Sequence, residues 1–157
     1  MDILEEDSLV FIKALKNKEV SYILVGGLAV IYYGYGRTTG DMDIWLEDTL
    51  ENRKKFVAAL TEYGILGAEI FETLPLIAGY SEIMLDGGIY VDVMSKLTQF
   101  SQTDFRKCYE SANEWEAEPG ISIKVLHINQ LIEEKEGNNR LKDRDDVEQL
   151  KMIWKLK

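Results

Sequence analysis

The chain has 157 residues, is 46% hydrophobic and carries a formal net charge of -10, with 28 acidic against 18 basic side chains. That length and apolar content suit one globular domain with enough chain to bury a core, while the acidic surplus argues against indiscriminate binding to duplex DNA, which depends on neutralising cations. Two prolines and no Gly/Ser tract leave no linker, and Cys108, the single cysteine, excludes an intrachain disulfide and a cysteine-based zinc cluster.

Met1 is followed by acidic residues rather than a basic stretch and an apolar core, and no apolar run approaches membrane-spanning length. The expectation is a cytoplasmic protein with no membrane partner. From Asp2 to Lys18, apolar residues at Ile3, Leu4, Leu9, Val10, Ile12 and Leu15 predict an amphipathic helix. Tyr22 to Val25 reads as a buried strand, closed by Gly26-Gly27, and Leu28 to Tyr33 as a helix. A strand, a glycine turn and a helix N-terminus can hold a phosphate, because glycine lets the backbone approach an oxyanion and the first helical N–H groups face it. Gly-Gly alone is equally a tight turn. The loop that follows, Tyr33 to Gly40, carries Arg37, Thr38 and Thr39, and Arg37 can fork onto a phosphate or pair with an aspartate.

Asp41-Met42-Asp43 runs into a predicted strand, Met42 to Leu46. Side chains at i and i+2 share a strand face, so Asp41 and Asp43 would present two carboxylates together. Hard oxygen ligands of this kind suit Mg²⁺, with Mn²⁺ as the alternative, though a bare Asp-x-Asp also fits an acidic loop before a strand. Asn52 to Tyr63 predicts a second amphipathic helix ended by Gly64. Ser81 to Ser95 predicts a hairpin turning at Asp86-Gly87-Gly88, where Asp86 is turn chemistry. Asp92 interrupts the second strand, and a carboxylate there is costly unless it is paired, bound to metal or faces water at an edge. The stretch from Thr98 to Ile121 is uninformative apart from a short helix at Asp104 to Cys108. A strand at Ile121 to Leu126 and helices at Asn129 to Glu136 and Asp143 to Lys155 follow, the helices separated by Gly137-Asn138-Asn139. His127, the only histidine, reads as a structural junction residue. Trp45, Trp115 and Trp154 read as packing, with Tyr32, Tyr33 and Tyr35 as candidates for base stacking. The expected architecture is α+β: a mixed sheet of about four or five strands with helices packed on it. One domain spans 1–157, with a core at about 11–97 and a C-terminal strand and helices at about 121–157.

In order and in residue type, Gly26, Gly27, Asp41, Asp43 and Asp92 resemble the nucleotidyltransferase superfamily to which DNA polymerase beta belongs. Within it, the run from Val25 to Ile44 is similar to small prokaryotic proteins related to the abortive-infection nucleotidyltransferase toxins. Leu131-Ile-Glu-Glu-Lys135 followed by Arg140-Leu-Lys142-Asp143 and Asp146 resembles a helical segment of that group. The similarity spans roughly Phe11 to Leu150 and is weakest between Ala68 and Gly79 and between Thr98 and Ile121.

The resemblance implies a nucleotidyltransferase-like fold and metal-dependent transfer of a nucleoside monophosphate from an NTP to a hydroxyl on RNA, protein or a small molecule. It assigns Asp41, Asp43 and Asp92 to Mg²⁺ and to catalysis, with Lys135 and Lys142 as catalytic cations. Gly26, Gly27, Arg37, Thr38, Thr39 and Arg140 would bind the nucleotide. The alternative is a non-catalytic nucleotide- or partner-binding module, such as one component of a toxin–antitoxin pair, with a protein partner or a second copy of itself. The segment from Arg140 to Asp146 also fits a solvated, ion-paired helix start, the competing reading for Arg144 and Asp145. Glu133 to Lys157 holds seven acids and seven bases, so the acidic surplus lies before it, and a nucleic acid would approach beside Lys135, Arg140, Lys142 and Arg144.

Overall fold

The structure is a computed structural model that describes residues 4–73 and 80–157. Four consecutive buried residues, Tyr22–Val25, form β1 in the interior of a mixed sheet. The antiparallel neighbour on one side is β2 (Asp41–Leu46), and the parallel neighbour on the other is β6 (Ile121–Val125). β4 (Tyr90–Met94) runs parallel to β2, β3 (Tyr80–Met84) pairs antiparallel with β4, and β5 (Asn113–Glu118) pairs antiparallel with β6. The strand order is β3-β4-β2-β1-β6-β5. The α+β expectation holds, with six strands among the described residues rather than four or five.

The additional strand is β5, whose sequence Asn-Glu-Trp-Glu-Ala-Glu lacks the β-branched residues that mark a strand. It lies at a sheet edge, where half-exposed charged residues are tolerated and blunt the unpaired backbone.

Helices α1 (Glu6–Asn17) and α3 (Leu50–Tyr63) pack together, with the Phe11 and Tyr63 rings edge-on at 5.7 Å. Asp2 and Ile3, assigned to the first helix from sequence, lie outside the described residues. α3 starts where Thr49 Oγ1 accepts the Asn52 N–H at 3.1 Å, and stops at Gly64, whose φ of 110° is left-handed as the sequence predicts. α2 (Gly26–Tyr32) follows β1 directly, so Gly26 and Gly27 form the first turn of the helix rather than a turn before it. A single turn, α4 (Ile70–Thr73), precedes β3, and α5 (Phe105–Ser111) follows β4. α6 (Ile128–Asn138) runs through Gly137 and Asn138, which were expected to break it. It ends at Asn139, whose φ of 52° is left-handed. α7 (Leu141–Ile153) packs back on α6. No helix among the described residues is long and apolar enough to cross a membrane.

The centre of the sheet is dry: Ile23, Leu24, Ile44, Trp45, Leu46, Val91 and Val93 are fully buried. One buried polar side chain pins it. Asn52 accepts the Ser21 N–H at 2.8 Å and donates to the Ser21 and Glu47 carbonyls at 2.9 and 2.8 Å, which ties α3 to the ends of β1 and β2. Asn52→Ala leaves three backbone groups without that partner and is expected to lower the unfolding free energy by about 3 kcal/mol. A urea titration checks this, and a change below about 1 kcal/mol would mean that water replaces all three bonds.

Candidate active site

The site begins with strand register. Val25 pairs with Asp43 across β1 and β2, and Asp43 pairs with Asp92 across β2 and β4. Register partners in a parallel pair point to one face, so the carboxyls of Asp43 and Asp92 meet, and Asp41 lies two residues back along the same face. The alternate residues Met42, Ile44, Val91 and Val93 are buried and lock this orientation. Burial, a hydrogen bond with Asp92 and the negative charges of Asp92 and Asp41 push the Asp43 carboxyl up to about 7, against the opposing pull of Lys135. Asp92 Oδ1 is buried without a hydrogen-bond partner.

Gly26 is required here, and Gly27 keeps close company with Thr39 and Arg37. Gly26 has a φ of +70°, and a Cβ on it would lie 2.0 Å from Asp43 Oδ2. A Cβ on Gly27 would lie 2.9 Å from Thr39 Oγ1 and 3.1 Å from Arg37 Nη2. The helix they open is only seven residues long, so any anion bound here would rest on local N–H groups more than on a helix dipole.

A cavity of about 1110 Å³ opens over this face. Gly26, Gly27, Arg37, Thr39, Asp41, Asp43, Asp92, Lys135, Arg140 and Lys142 all line it. Of the residues assigned from sequence to metal, catalysis or nucleotide binding, Thr38 alone does not, and its carbonyl accepts the Arg37 Nη1–H at 3.0 Å instead.

Most of the cavity's cations are already engaged. Lys135, only 4% exposed, places Nζ 3.3 Å from Asp143 Oδ1 and 2.9 Å from Asp146 Oδ2. Arg37 donates from Nη2 to Asp146 Oδ2 at 3.0 Å, and its Nε lies 2.8 Å from Oδ1 as an ion pair without hydrogen-bond alignment. Arg140 forks onto Asp143 at 2.6 and 3.2 Å. Burial pushes the Asp143 carboxyl up, but the Arg140 hydrogen bond and the charges of Lys135 and Arg140 outweigh it and hold the group below the usual range. With exposures of 0% and 1%, Asp143 and Asp146 are not part of a solvated helix start. Arg144 and Asp145 are exposed, and Asp145 accepts the Tyr35 hydroxyl at 2.5 Å. Lys142 is exposed and has no ion-pair partner among the described residues.

The three tyrosines do not line the cavity. Tyr33 is buried and donates to the Leu126 carbonyl at 2.6 Å, Tyr32 packs against Trp115 at 5.5 Å, and Tyr35 is tied to α7. They join α2 to the C-terminal elements rather than stack a base. His127 caps α6, its Nδ1 accepting the Asn129 N–H at 3.1 Å. The sequence reading missed the wall formed by Met94, Lys96, Leu97, Gln99 and Phe100. The only local signal in that stretch was Ser101-Gln-Thr-Asp104, a capping box that starts the turn before α5.

The donors fit a hard divalent cation such as Mg²⁺ or Mn²⁺: two apposed carboxyls, a buried carboxylate oxygen without a partner, and a third acid on the same face. Among the described residues no three such side chains close into a cage, so substrate phosphates and water would complete the shell.

Two outcomes follow from these contacts. The folded Asp43 carboxyl ionises near 7 against an ordinary 3.8, so its contribution to stability is full below about pH 4 and is lost as pH rises to 7. In EDTA, the stability of Asp43→Asn relative to wild type is therefore expected to rise over that window, and a pH-independent difference would refute the shift. Lys135→Met leaves Asp143 with Arg140 alone and Asp146 with Arg37 alone, and is expected to cost about 3 kcal/mol, the low end for a broken buried pair. Lys142→Met should stay within about 0.5 kcal/mol of wild type by the same denaturant titration.

No protein-family profile matches the chain. No curated protein matches it by sequence. Solved structures do. A lincosamide antibiotic adenylyltransferase, LnuA, with lincomycin bound, superposes with a TM-score of 0.59 at 16% identity, over 98% of this chain and 99% of that one. A Thermotoga maritima protein described as a nucleotidyltransferase gives a TM-score of 0.53 at 18% identity, over 92% of this chain and 88% of that one. The chain has the nucleotidyltransferase fold.

Proposed function

We propose that the chain is a metal-dependent nucleotidyltransferase that moves a nucleoside monophosphate from an NTP to an acceptor hydroxyl. The observation that supports this reading is the apposition of Asp43 and Asp92 beside Gly26, which has no room for a side chain, inside one large cavity. The N–H groups of Gly26 and Gly27, with Thr39 and Arg37, would cradle the triphosphate. In the reaction the acceptor oxygen bonds to the α-phosphorus, the bond from that phosphorus to the pyrophosphate oxygen breaks, and the hydroxyl proton passes to Asp92 Oδ1. Mg²⁺ held by Asp41, Asp43 and Asp92 would supply charge stabilisation at the entering and leaving oxygens.

Lys142 and Lys96 line the cavity outside the ion pairs that bind Arg37, Lys135 and Arg140 to α7, and Lys142, beside Arg140 at the charged end, is the one we assign to charge building on the triphosphate. Lys135 acts from beneath by moderating the negative field at Asp43. LnuA is a lincosamide adenylyltransferase of almost the same extent as this chain, which supports a small hydroxylated molecule as the acceptor. The abortive-infection grouping and a place in a toxin–antitoxin pair gain no support from either structural neighbour.

The test is incubation with each α-labelled NTP and Mg²⁺, separately with lincomycin and other hydroxylated small molecules, with RNA and with protein. Label is expected in the small-molecule fraction. Mg²⁺ and NTP together should stabilise the fold by roughly 2.7 kcal/mol at 100 times the dissociation constant. Asp41→Asn combined with Asp43→Asn should abolish that shift, and a shift that survives would place the nucleotide elsewhere. Lys142→Met should lower turnover far more than NTP affinity, as expected when a contact strengthens in the transition state.

A further inference from the structure

The cavity has two chemically different ends. Toward Asp41 it is charged, with the glycine turn, Arg37 and Thr39. Toward Met94, which pairs with Trp45 in the same register that pairs Asp92 with Asp43, it gains apolar side chains, Met94, Leu97, Phe100 and Leu131, set among polar ones such as Thr98, Gln99 and Ser101. Met94 lies two residues, about 7 Å, beyond Asp92 along β4. A ribose sets a comparable distance between an α-phosphate and its base.

The segment that supplies this wall is held at both ends. Before it, the Ser95 carbonyl accepts the Trp45 indole N–H at 3.0 Å and the Gln102 amide at 2.5 Å. At its tip, the Glu134 carboxylate of α6 accepts the backbone N–H of Thr98 at 2.8 Å through one oxygen and that of Gln99 at 2.7 Å through the other. Glu134 is 8% exposed. Gly137, one turn on, gives the Gln99 side chain room, since a Cβ there would lie 2.1 Å from Gln99 Nε2. A buried carboxylate committed to two backbone amides of another element fixes that element's position. The wall holds Phe100 against Trp45, ring centroids 6.4 Å apart, and Phe100 lines the cavity.

We infer that the segment 97–101 is the nucleoside-binding wall, with Phe100 as its contact to the base and Glu134 as the positioning residue that fixes it. This rests on the nucleotidyl-transfer reading. An NTP then lies along β2 and β4, triphosphate toward the glycines and base on Phe100. An aromatic base is the part of an NTP that gains from an apolar ring, whereas the triphosphate gains nothing there.

The test compares Mg²⁺ complexes of the four α,β-methylene NTPs with Mg²⁺-tripolyphosphate, which has no nucleoside, by calorimetry. Wild type should bind at least one nucleotide analogue more tightly than tripolyphosphate. Phe100→Ala and Glu134→Gln should weaken that analogue about tenfold, within what loss of base stacking costs, while tripolyphosphate stays within about twofold. Phe100→Tyr, which keeps the ring, should retain the wild-type preference. Unchanged analogue binding in Phe100→Ala, equal weakening of both ligands, or a wild type that prefers neither ligand would each overturn the wall. A wild type that binds neither would instead remove the nucleotidyl-transfer reading beneath it.

Discussion

Two carboxylates side by side in the middle of a sheet set the terms for the rest of this molecule. The parallel register of β2 and β4 leaves Asp43 and Asp92 no means of separating, because Met42, Ile44, Val91 and Val93 hold the opposite face in the core. Neighbouring charges in a poorly hydrated site cannot both ionise cheaply, so Asp43 keeps its proton until near neutral pH. What surrounds the pair accommodates it. Gly26 leaves space that any other residue would fill, and Lys135 lies close enough to oppose the negative field.

The accommodation extends to the far helices. Arg37, Lys135 and Arg140 converge on Asp143 and Asp146, three cations on two buried carboxylates, which leaves one positive charge beside the Asp43–Asp92 pair. A buried ion network of this kind adds little net stability compared with apolar packing of the same volume, but it tolerates no missing member. Its consequence is geometric. The loop after α2, the middle of α6 and the first turns of α7 are fixed to one another, so the charged end of the cavity is held by a loop from the first third of the chain and by two consecutive C-terminal helices.

What could be read from the sequence follows from how local each signal is. Asp41-Met-Asp43 was legible as one strand face because strand period fixes side-chain direction, Asp92 joined it only through the resemblance to a known family, and Gly64 was legible as a helix stop because only a left-handed residue fits there. The partners of Arg37 and Lys135 were not legible. A run such as Arg140 to Asp146 has the composition of a solvated surface, and only the packing of α7 on α6 turns Asp143 and Asp146 inward. β5 was missed because edge strands need not be apolar, and the 94–101 wall because its structure comes from Glu134, more than thirty residues later in the chain. Gly137 looked like a helix breaker, yet a glycine inside a helix also appears where another side chain must pass close, here that of Gln99.

The same helix organises both ends of the cavity. Successive residues on an α-helix point about 100° apart, since a turn takes 3.6 residues. Glu134 and Lys135 use that difference: one carboxylate turns to the amides of Thr98 and Gln99, and the ammonium beside it turns to Asp143 and Asp146. A shift of α6 along its axis would disturb the apolar wall and the ionic end together, so the distance between them is a property of one rigid element. A chain of 157 residues thereby walls a large cavity with a few buried polar contacts from its own C-terminal helices. Asp41 itself stays exposed at the charged end that those helices hold.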